Sequence, residues 1–496
     1  MNQLVRDRLA RVAVFVGATV LAALYLGQAQ EKAERIHQLV QKHYEYGQFN
    51  GAVLVAEQGV VLFKKGYGEA NREWGIPNTP DTEFRLGSIT KQFTATLVLR
   101  LVEQGKIRLD GKISDYIPDY PKAAGDKVTI HHLLTHTSGI PSYTSMPKFW
   151  QELSKRPYTP IEFIKVFWDL PLEFEPGSKF EYSNSGYFLL GVIIEKVTGK
   201  PYAQVLQENI FNLLGMSGSG YDMPAPILPK RASGYEKRGG AYINASYVDM
   251  TTPYSAGALY STVEDLYRWD QALYGDKILS EESKKTMFEP RIAPSGAPLA
   301  SMRYAYGWFV GKELIGTTQE SIYTIGHGGS INGFNSLITR IPESRSLIVL
   351  LNNTGAAPLA AIERSILGIL YGKPYAPAKR SIADVLRETI QTSGIEAAVR
   401  KFNELQDNKD EYSLSEEQIN SLGYEYLQGG KLKEAIEVFK LNVAAFPQSF
   451  NVYDSLGEAY AAAGEKELAI KNYERSLELN PKSQSGIEAL KKLKAR

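Results

Sequence analysis

Apolar positions recur at helical spacing from about Ala33 to Tyr46 and predict a first helix there. "GAVLVAEQGVVLFKKGYG", Gly51 to Gly68, reads instead as a hairpin, because two β-rich runs flank a Gln-Gly turn. From about Ser88 to Asp276 the pattern is mostly helical, broken by loops that contain Pro and Gly. Its clearest stretch is "QFTATLVLRLVEQGK", apolar at helical spacing with no Gly or Pro before Gly105. Strand signals return late, in "YAYGWFVG", "GFNSLITRIP" and "RSLIVLLNN", the last two joined by a short Glu-Ser turn. "PLAAIERSILGILYG" then has a strong helical pattern. Strands at both ends of a helical insert predict an α+β architecture: one antiparallel sheet made from distant segments, plus an all-α lobe.

The character changes after "KPYAPAKR", Lys373 to Arg380, which reads as a linker. Gly423 and Gly457 lie 34 residues apart, as do Ala435 and Ala469, Phe439 and Tyr473, and Pro447 and Pro481. A period of 34 with small, aromatic and proline markers is the tetratricopeptide signature, in which each unit is a helical hairpin. The small residue lets the two helices approach, and the aromatic fills the groove between neighbouring hairpins. Clear units run over about 419–451 and 453–485, with Ile419 and Tyr453 where a Trp is usual. Two units are few for such a stack, and Ile382 to Leu405 reads as a degenerate helical pair that completes it. "SEEQ", Ser415 to Gln418, would cap the first clear helix. The expected division is therefore residues 30–375 and a helical region over 381–496. That region either packs on the first domain or docks a protein partner.

Composition narrows the chemistry. The chain has 496 residues, 56 Lys plus Arg against 55 Asp plus Glu, and no cysteine. A balanced charge gives no electrostatic reason to expect nucleic acid or an anionic membrane surface as partner. The lack of Cys excludes disulfides, thiolate nucleophiles and zinc–thiolate sites. Arg6, Arg8 and Arg11 precede an uncharged apolar run from Val12 to Gly27, and "GQA" then ends on Ala29. Residues 1–29 thus read as an export signal or a membrane anchor. The run is slightly short for a spanning helix, which favours cleavage. The bulk of the chain is expected outside the cytoplasm, periplasmic or secreted.

Three short patterns could carry chemistry. Ser88-Ile-Thr-Lys91 opens the long apolar helix, so both side chains would lie on one face of its first turn. A second copy, Ser145-Met-Pro-Lys148, has a proline between the partners and lacks that platform. A serine hydroxyl becomes a nucleophile only when a base within reach takes its proton, and Lys91 can do so only if it is neutral, as burial would promote. Tyr182-Ser-Asn184 precedes a helix with apolar positions at Tyr187, Leu190, Ile194 and Val197, a geometry that aims loop side chains at a cleft. A second Tyr-x-Asn, Tyr242 to Asn244, has no such setting. His327-Gly-Gly329 stands just before an expected strand, where glycines would let a substrate approach the backbone as an added sheet edge.

With these motifs in this order, the chain resembles the serine hydrolases related to class C β-lactamases, low-molecular-weight penicillin-binding proteins, D-aminopeptidases and similar esterases. The resemblance covers about Arg35 to Tyr371 and includes "TIHHLLTHTSGIP" and "SAGALYSTVEDLYRWDQAL". It implies a beta-lactamase/transpeptidase-like antiparallel sheet flanked by helices, with an all-α lobe and the site between them. It also implies Ser88 as acylated nucleophile, Lys91 as its base or proton relay, and Tyr182 as the group exchanging protons with Ser88 and the deacylating water. Asn184 would orient Lys91 and bind a substrate amide. The backbone N–H groups of Ser88 and Ser330 would form the oxyanion hole, with Gly329 beside them. The implied reaction is hydrolysis of an ester, a D-amino peptide or amide, or a peptidoglycan-like substrate, with no cofactor and no metal. A ligand-binding scaffold on the same fold is the alternative. His327 departs from the lysine that β-lactamases and carboxypeptidases usually carry there, which argues against β-lactam hydrolysis. With an ordinary histidine pKa of about 6.5, His327 would attract a substrate carboxylate weakly at pH 7.5 and more strongly near pH 6.

Other signals have plainer readings. His132 and His136 share zinc-like spacing, but no Glu stands beside the first and no third ligand is evident, so both are expected to be structural. Tyr304, Tyr306 and Trp308 alternate and are expected to pack on one face of a strand. Glu264 and Asp265 follow Ser261-Thr262 as acids of a helix start.

Overall fold

The structure is a computed structural model that describes residues 27–292 and 302–495. The expected export signal lies almost wholly outside the described residues. Among them no helix is long and apolar enough to cross a membrane. The described residues divide into two compact units, one lying within Met1–Glu236 and Ile243–Pro377, the other within Lys237–Tyr242 and Ala378–Arg496.

The first unit is built on an antiparallel seven-stranded sheet. Its strands are β1 (Gly51–Glu57), β2 (Val60–Tyr67), β3 (Arg303–Tyr304), β4 (Phe309–Leu314), β5 (Ser321–Ile331), β6 (Phe334–Ile341) and β7 (Ser346–Asn352). They lie in the order β3-β4-β5-β6-β7-β1-β2, so the N-terminal hairpin closes on the last strand of the unit. Gln58 and Gly59 both take positive φ, 54° and 75°, which lets a two-residue turn match the strand twist. Alternation assigns the two faces. Ala52, Leu54, Leu347, Val349 and Leu351 belong to the core shared with the helical lobe. Val53, Val55, Ile348 and Leu350 pack instead with residues of helix α1 (27–45) and of the last helix of the unit, Leu359–Leu370. A sheet buried on both faces reads as near-continuous hydrophobic runs, which is why β1 and β7 look apolar throughout.

The helical lobe carries α2 (Thr90–Glu103), α3 (Ile130–Leu134), α4 (Asn184–Thr198) and α5 (Val263–Ala272). Thr262 caps α5 by accepting the Asp265 N–H, as the acids at its start suggested. The lobe also holds short strands, Phe84–Arg85, Gly220–Tyr221 and Leu259–Ser261, which the helical pattern hides. Helix α6 is Leu359–Leu370. Across the sheet core Arg340 on β6 pairs with Asp270 on α5 at 2.6 Å, both nearly fully buried, and this ties lobe to sheet.

One strand expectation fails. "YAYGWFVG" is not a continuous strand: Ala305 N–H bonds back to the Trp308 carbonyl at 2.8 Å, and Gly307 turns with φ of 78°. Tyr304, Tyr306 and Trp308 therefore point to different places. Tyr304 reaches His327, Tyr306 reaches His131, and Trp308 packs against Phe288.

The second unit is helical. Two helices, α7 (Ile382–Ser393) and α8 (Ile395–Leu405), form the expected degenerate pair. The repeats follow as α9 (Glu416–Gln428), α10 (Leu432–Ala445), α11 (Phe450–Ala462) and α12 (Lys466–Leu479), with α13 (Gln484–Lys494) closing the series. Gly423 and Gly457 lie against the rings of Phe439 and Tyr473, so each ring packs on the small residue of its own hairpin, whereas the sequence reading puts the aromatic in the groove between neighbouring hairpins. Ser415 caps α9 by accepting the Gln418 N–H at 3.4 Å.

Candidate functional site

Leu86 to Ile89 turn sharply before α2. Gly87 has φ of 55°, in the left-handed region that favours glycine, and the turn Gly87–Ile89 leads directly into the helix. This places Ser88 at the helix start and Lys91 one turn on, on the same side. Lys91 is fully buried. Its Nζ lies 3.1 Å from Ser88 Oγ, 2.8 Å from Asn184 Oδ1 and 2.8 Å from the Ala256 carbonyl.

Each neighbour is fixed from elsewhere. Asn184 begins α4; its N–H donates to Ser142 Oγ and its Nδ2 to Thr144 Oγ1, both at 3.1 Å. The amide is thereby oriented with Oδ1 toward Lys91. Ala256 lies in a single helical turn, Tyr254–Gly257, which begins with Tyr254 at φ of 39°. Ser255 Oγ fastens that turn to α4 by donating to the Tyr187 carbonyl at 2.8 Å. Burial holds the Lys91 amine well below the ordinary lysine value, and no carboxylate is among its hydrogen-bond partners to oppose this.

Tyr182 lies over Lys91, with Nζ 4.9 Å from the ring centre. Burial raises its phenol above the usual value, and the neighbouring Ser88 hydroxyl partly offsets this. Among the described residues the Tyr182 hydroxyl has no hydrogen-bond partner within ordinary distance. It is held ready beside the serine as a neutral phenol.

The third pattern differs in setting from its sequence reading. His327-Gly-Gly329 lies inside β5, not before a strand. Pairing with β4 stops at Phe309↔Gly326, while pairing with β6 runs on to Ile331↔Phe334. The segment from His327 to Ile331 therefore overhangs with one side paired and the other open, which is the sheet edge expected for a substrate. Gly329 permits the closest approach: a Cβ there would meet the Leu86 carbonyl at 1.9 Å, Ser336 Oγ at 2.4 Å and Ser88 N at 3.0 Å. A Cβ on Gly87 would meet Ser330 N at 2.8 Å. Strand and turn thus pack backbone to backbone and bring the N–H groups of Ser88 and Ser330 into one neighbourhood. Ser336 fastens this contact by donating to the Leu86 carbonyl at 2.6 Å.

His327 is not the ordinary histidine of the sequence reading. Burial is the main cause that lowers its pKa to about 3. Its Nδ1 lies 2.5 Å from the Gly328 carbonyl, so that nitrogen carries the proton and Nε2 accepts from Tyr304 Oη at 3.2 Å. It presents a neutral ring to the cleft. Its attraction for a carboxylate therefore does not strengthen near pH 6, contrary to the expectation for an ordinary histidine.

All seven expected residues (Ser88, Lys91, Tyr182, Asn184, His327, Gly329 and Ser330) converge on one locality. In the second Ser-x-x-Lys copy, Ser145 to Lys148, the lysine is engaged elsewhere: Lys148 pairs with Glu152 at 3.5 Å. Sequence reasoning missed Ser142, Thr144, Ala256 and Ser336, which act through short contacts between distant segments. It also undervalued His136. His132 takes the expected structural place, closing a capping box at the start of α3 with Thr129. His136, at φ of 58°, stacks 4.2 Å from the Tyr182 ring and accepts the Ser183 N–H at Nδ1. Among the described residues no group of three or more His, Asp or Glu could hold a metal ion. The site opens into a cleft of about 450 Å³ that includes Ser88, Tyr182, Phe309 and His327 through Ser330.

Comparison with known proteins agrees with this geometry. Residues 33–370 match the beta-lactamase family and residues 450–483 a tetratricopeptide repeat. The chain is 30% identical over 323 residues to the putative penicillin-binding protein PbpX of Bacillus subtilis, covering 65% of this chain and 75% of that one. It is 30% identical over 382 residues to penicillin-binding protein 4* of the same organism, covering 73% and 81%. Among solved structures, a penicillin-binding protein from Bacillus halodurans superposes with TM-score 0.58 at 29% identity, covering 66% of this chain and 98% of that one. A D-amino acid amidase from Ochrobactrum anthropi SV3 gives TM-score 0.58 at 26% identity, covering 69% and 99%.

Proposed function

The chain belongs to the beta-lactamase family, and on that premise we propose that it is an exported serine hydrolase acting through an acyl-Ser88 intermediate on uncharged esters or D-amino amides. The observation that carries this reading is the environment of Lys91 Nζ. Two of its three neighbours, Asn184 Oδ1 and the Ala256 carbonyl, can only accept hydrogen bonds. A neutral amine satisfies them with its two N–H bonds. Its lone pair is left for the third neighbour, the Ser88 hydroxyl. Burial favours that neutral form, so the arrangement suits removal of the Ser88 proton as Oγ attacks a carbonyl.

The developing oxyanion would be met by the N–H groups of Ser88 and Ser330, with the start of α2 adding its dipole. The resulting Lys91 ammonium and the neutral Tyr182 phenol form a route for the proton to the leaving group. In the second half-reaction the same groups take a proton from water as its oxygen attacks the acyl carbon, and they pass that proton to Ser88 Oγ as the bond from Oγ to the acyl carbon breaks. Tyr182 is the less suitable primary base, because burial holds its proton on while it drives the proton off Lys91.

The neutral His327 supports substrates without a required carboxylate. The basic and then apolar N-terminal sequence supports action outside the cytoplasm. A panel of p-nitrophenyl esters, D-amino amides and nitrocefin tests the reading. Turnover of the first two classes, lost in Ser88→Ala and with nitrocefin the poorest substrate, is the expected result. No turnover of any of the three would favour a binding scaffold.

A further inference from the structure

The cleft does not end at Ser88. It wraps round the overhanging edge of β5 and continues on the opposite face of the sheet, against the start of α6. Register shows why. Residues directly opposite one another in an antiparallel ladder share a face. His327 and Gly329 pair with Ile338 and Ser336 and look toward the helical lobe, whereas Gly328 and Ser330 pair with Leu337 and Asn335 and look toward α6. Gly328 leaves that far side empty: a Cβ there would meet nothing nearer than the Ser336 carbonyl at 3.7 Å. Leu337, Ala357, Leu359 and Ala360 line the space beyond it. Asn335 lies at its edge, with Oδ1 buried and without a hydrogen-bond partner among the described residues.

We propose that this far-side pocket is a specificity subsite for an extended, uncharged acyl group, whose amide N–H donates to Asn335 Oδ1 and whose apolar end packs on Leu337 and Leu359. The proposal rests on the reading of Ser88 as the acylated nucleophile. A chain laid along the open edge of β5 presents successive substituents to alternate faces. When its scissile carbonyl faces Ser88, the next substituent must turn toward α6. An unpartnered buried acceptor is costly to leave unmet, so a ligand N–H at Asn335 is favoured over an ester oxygen at the same place. Among the described residues that line the cleft none carries a carboxylate, an amine or a guanidinium, and His327 is neutral, so a charged acyl group would find no counter-charge there.

The test compares two substrates of the full-length protein, the p-nitrophenyl esters of acetate and of N-octanoylglycine, by the ratio of their kcat/KM values. The acetate cannot reach the far side, so the ratio isolates the subsite from any shared change in chemistry. Wild type should prefer the octanoylglycine ester. Ala360→Trp fills the pocket from an exposed helix position, and Ala357→Trp fills it from the preceding loop. Each should lower the ratio about 10-fold or more, the scale set by losing a few methylenes from an apolar pocket. Asn335→Leu should lower it for octanoylglycine but not for the p-nitrophenyl ester of decanoate, which lacks the N–H. A ratio unchanged in both tryptophan variants would overturn the subsite. Acetate turnover that survives in Ser88→Ala would instead overturn the nucleophile assignment, so the two failures are distinguishable.

Discussion

Gly329→Ala should disable catalysis while leaving the protein folded. Ordinary contact of a Cβ with its neighbours begins near 3.4 Å, and a Cβ on Gly329 would lie 1.9 Å from the Leu86 carbonyl. Relief requires strand and turn to separate by up to about 1.5 Å along that line. Ser336 Oγ, at 2.4 Å from the same point, blocks sideways escape. The atoms that must part are backbone atoms of the two segments that supply the proposed oxyanion donors, Ser88 N and Ser330 N. A misplacement of about 1 Å costs on the order of 100-fold, and loss of one oxyanion donor costs about 100- to 1,000-fold in kcat. The variant should therefore lose about 100-fold or more in kcat for p-nitrophenyl acetate. Gly328→Ala is the matched comparison, since its Cβ would meet only the Ser336 carbonyl at 3.7 Å. It should lose far less. Stopped-time release of p-nitrophenolate, with thermal unfolding of both variants, provides the assay. Activity of Gly329→Ala within about threefold of wild type, with no rise in sensitivity over Gly328→Ala, would refute the argument from backbone packing.

Three further outcomes follow from named groups. His327, at a pKa of about 3, stays neutral from pH 5.5 to 8, so kcat/KM for a carboxylate-bearing substrate over its neutral analogue should be flat across that range; a ratio climbing several-fold toward pH 5.5 would show a titrating histidine. Behind the sheet, burial and the nearby Glu313 hold the Glu363 carboxyl well above the ordinary carboxylate value. A raised folded pKa gives a contribution to stability that is present below the unfolded pKa of about 4.3 and is lost as pH rises through the folded value. Glu363→Gln should flatten the fall in Tm between pH 5 and pH 8, and an unchanged slope would count against a protonated Glu363. A chain ending at Lys379 keeps every residue of the proposed site and should retain most ester turnover; complete loss of activity in soluble protein would assign the repeats a role in catalysis.

The sequence was most legible where one residue type imposes one geometry. The Gln58-Gly59 turn, the 34-residue period and the Ser88–Lys91 helix start each depend on local spacing, and each stands in the structure where spacing puts it. Legibility ended where function depends on contacts between distant segments. Ala256 offers only a backbone carbonyl to Lys91, and no side-chain pattern announces a carbonyl. Ser142 and Thr144 fix Asn184 across 42 and 40 residues, through hydroxyls that look like ordinary loop residues. The His327 reading failed for a physical reason, since its pKa is set by burial, and burial is a property of packing rather than of residue type. Alternation misled at Tyr304 to Trp308, because Gly307 turns the chain inside an apolar run and sends neighbouring rings to different layers. His136 had its sequence signal in the "HLLTHTSG" turn, yet only its left-handed backbone brings the ring beneath Tyr182.

The central claim is that Ser88 becomes acylated because a buried, neutral Lys91 takes its proton. Treating the intact protein with a fluorophosphonate and mapping the adduct by peptide mass spectrometry tests it most directly. The account predicts one adduct, on Ser88, whose rate of formation collapses in Lys91→Ala and is unaffected in Ser145→Ala. An adduct on another residue, or labelling that proceeds at the wild-type rate without Lys91, would contradict it.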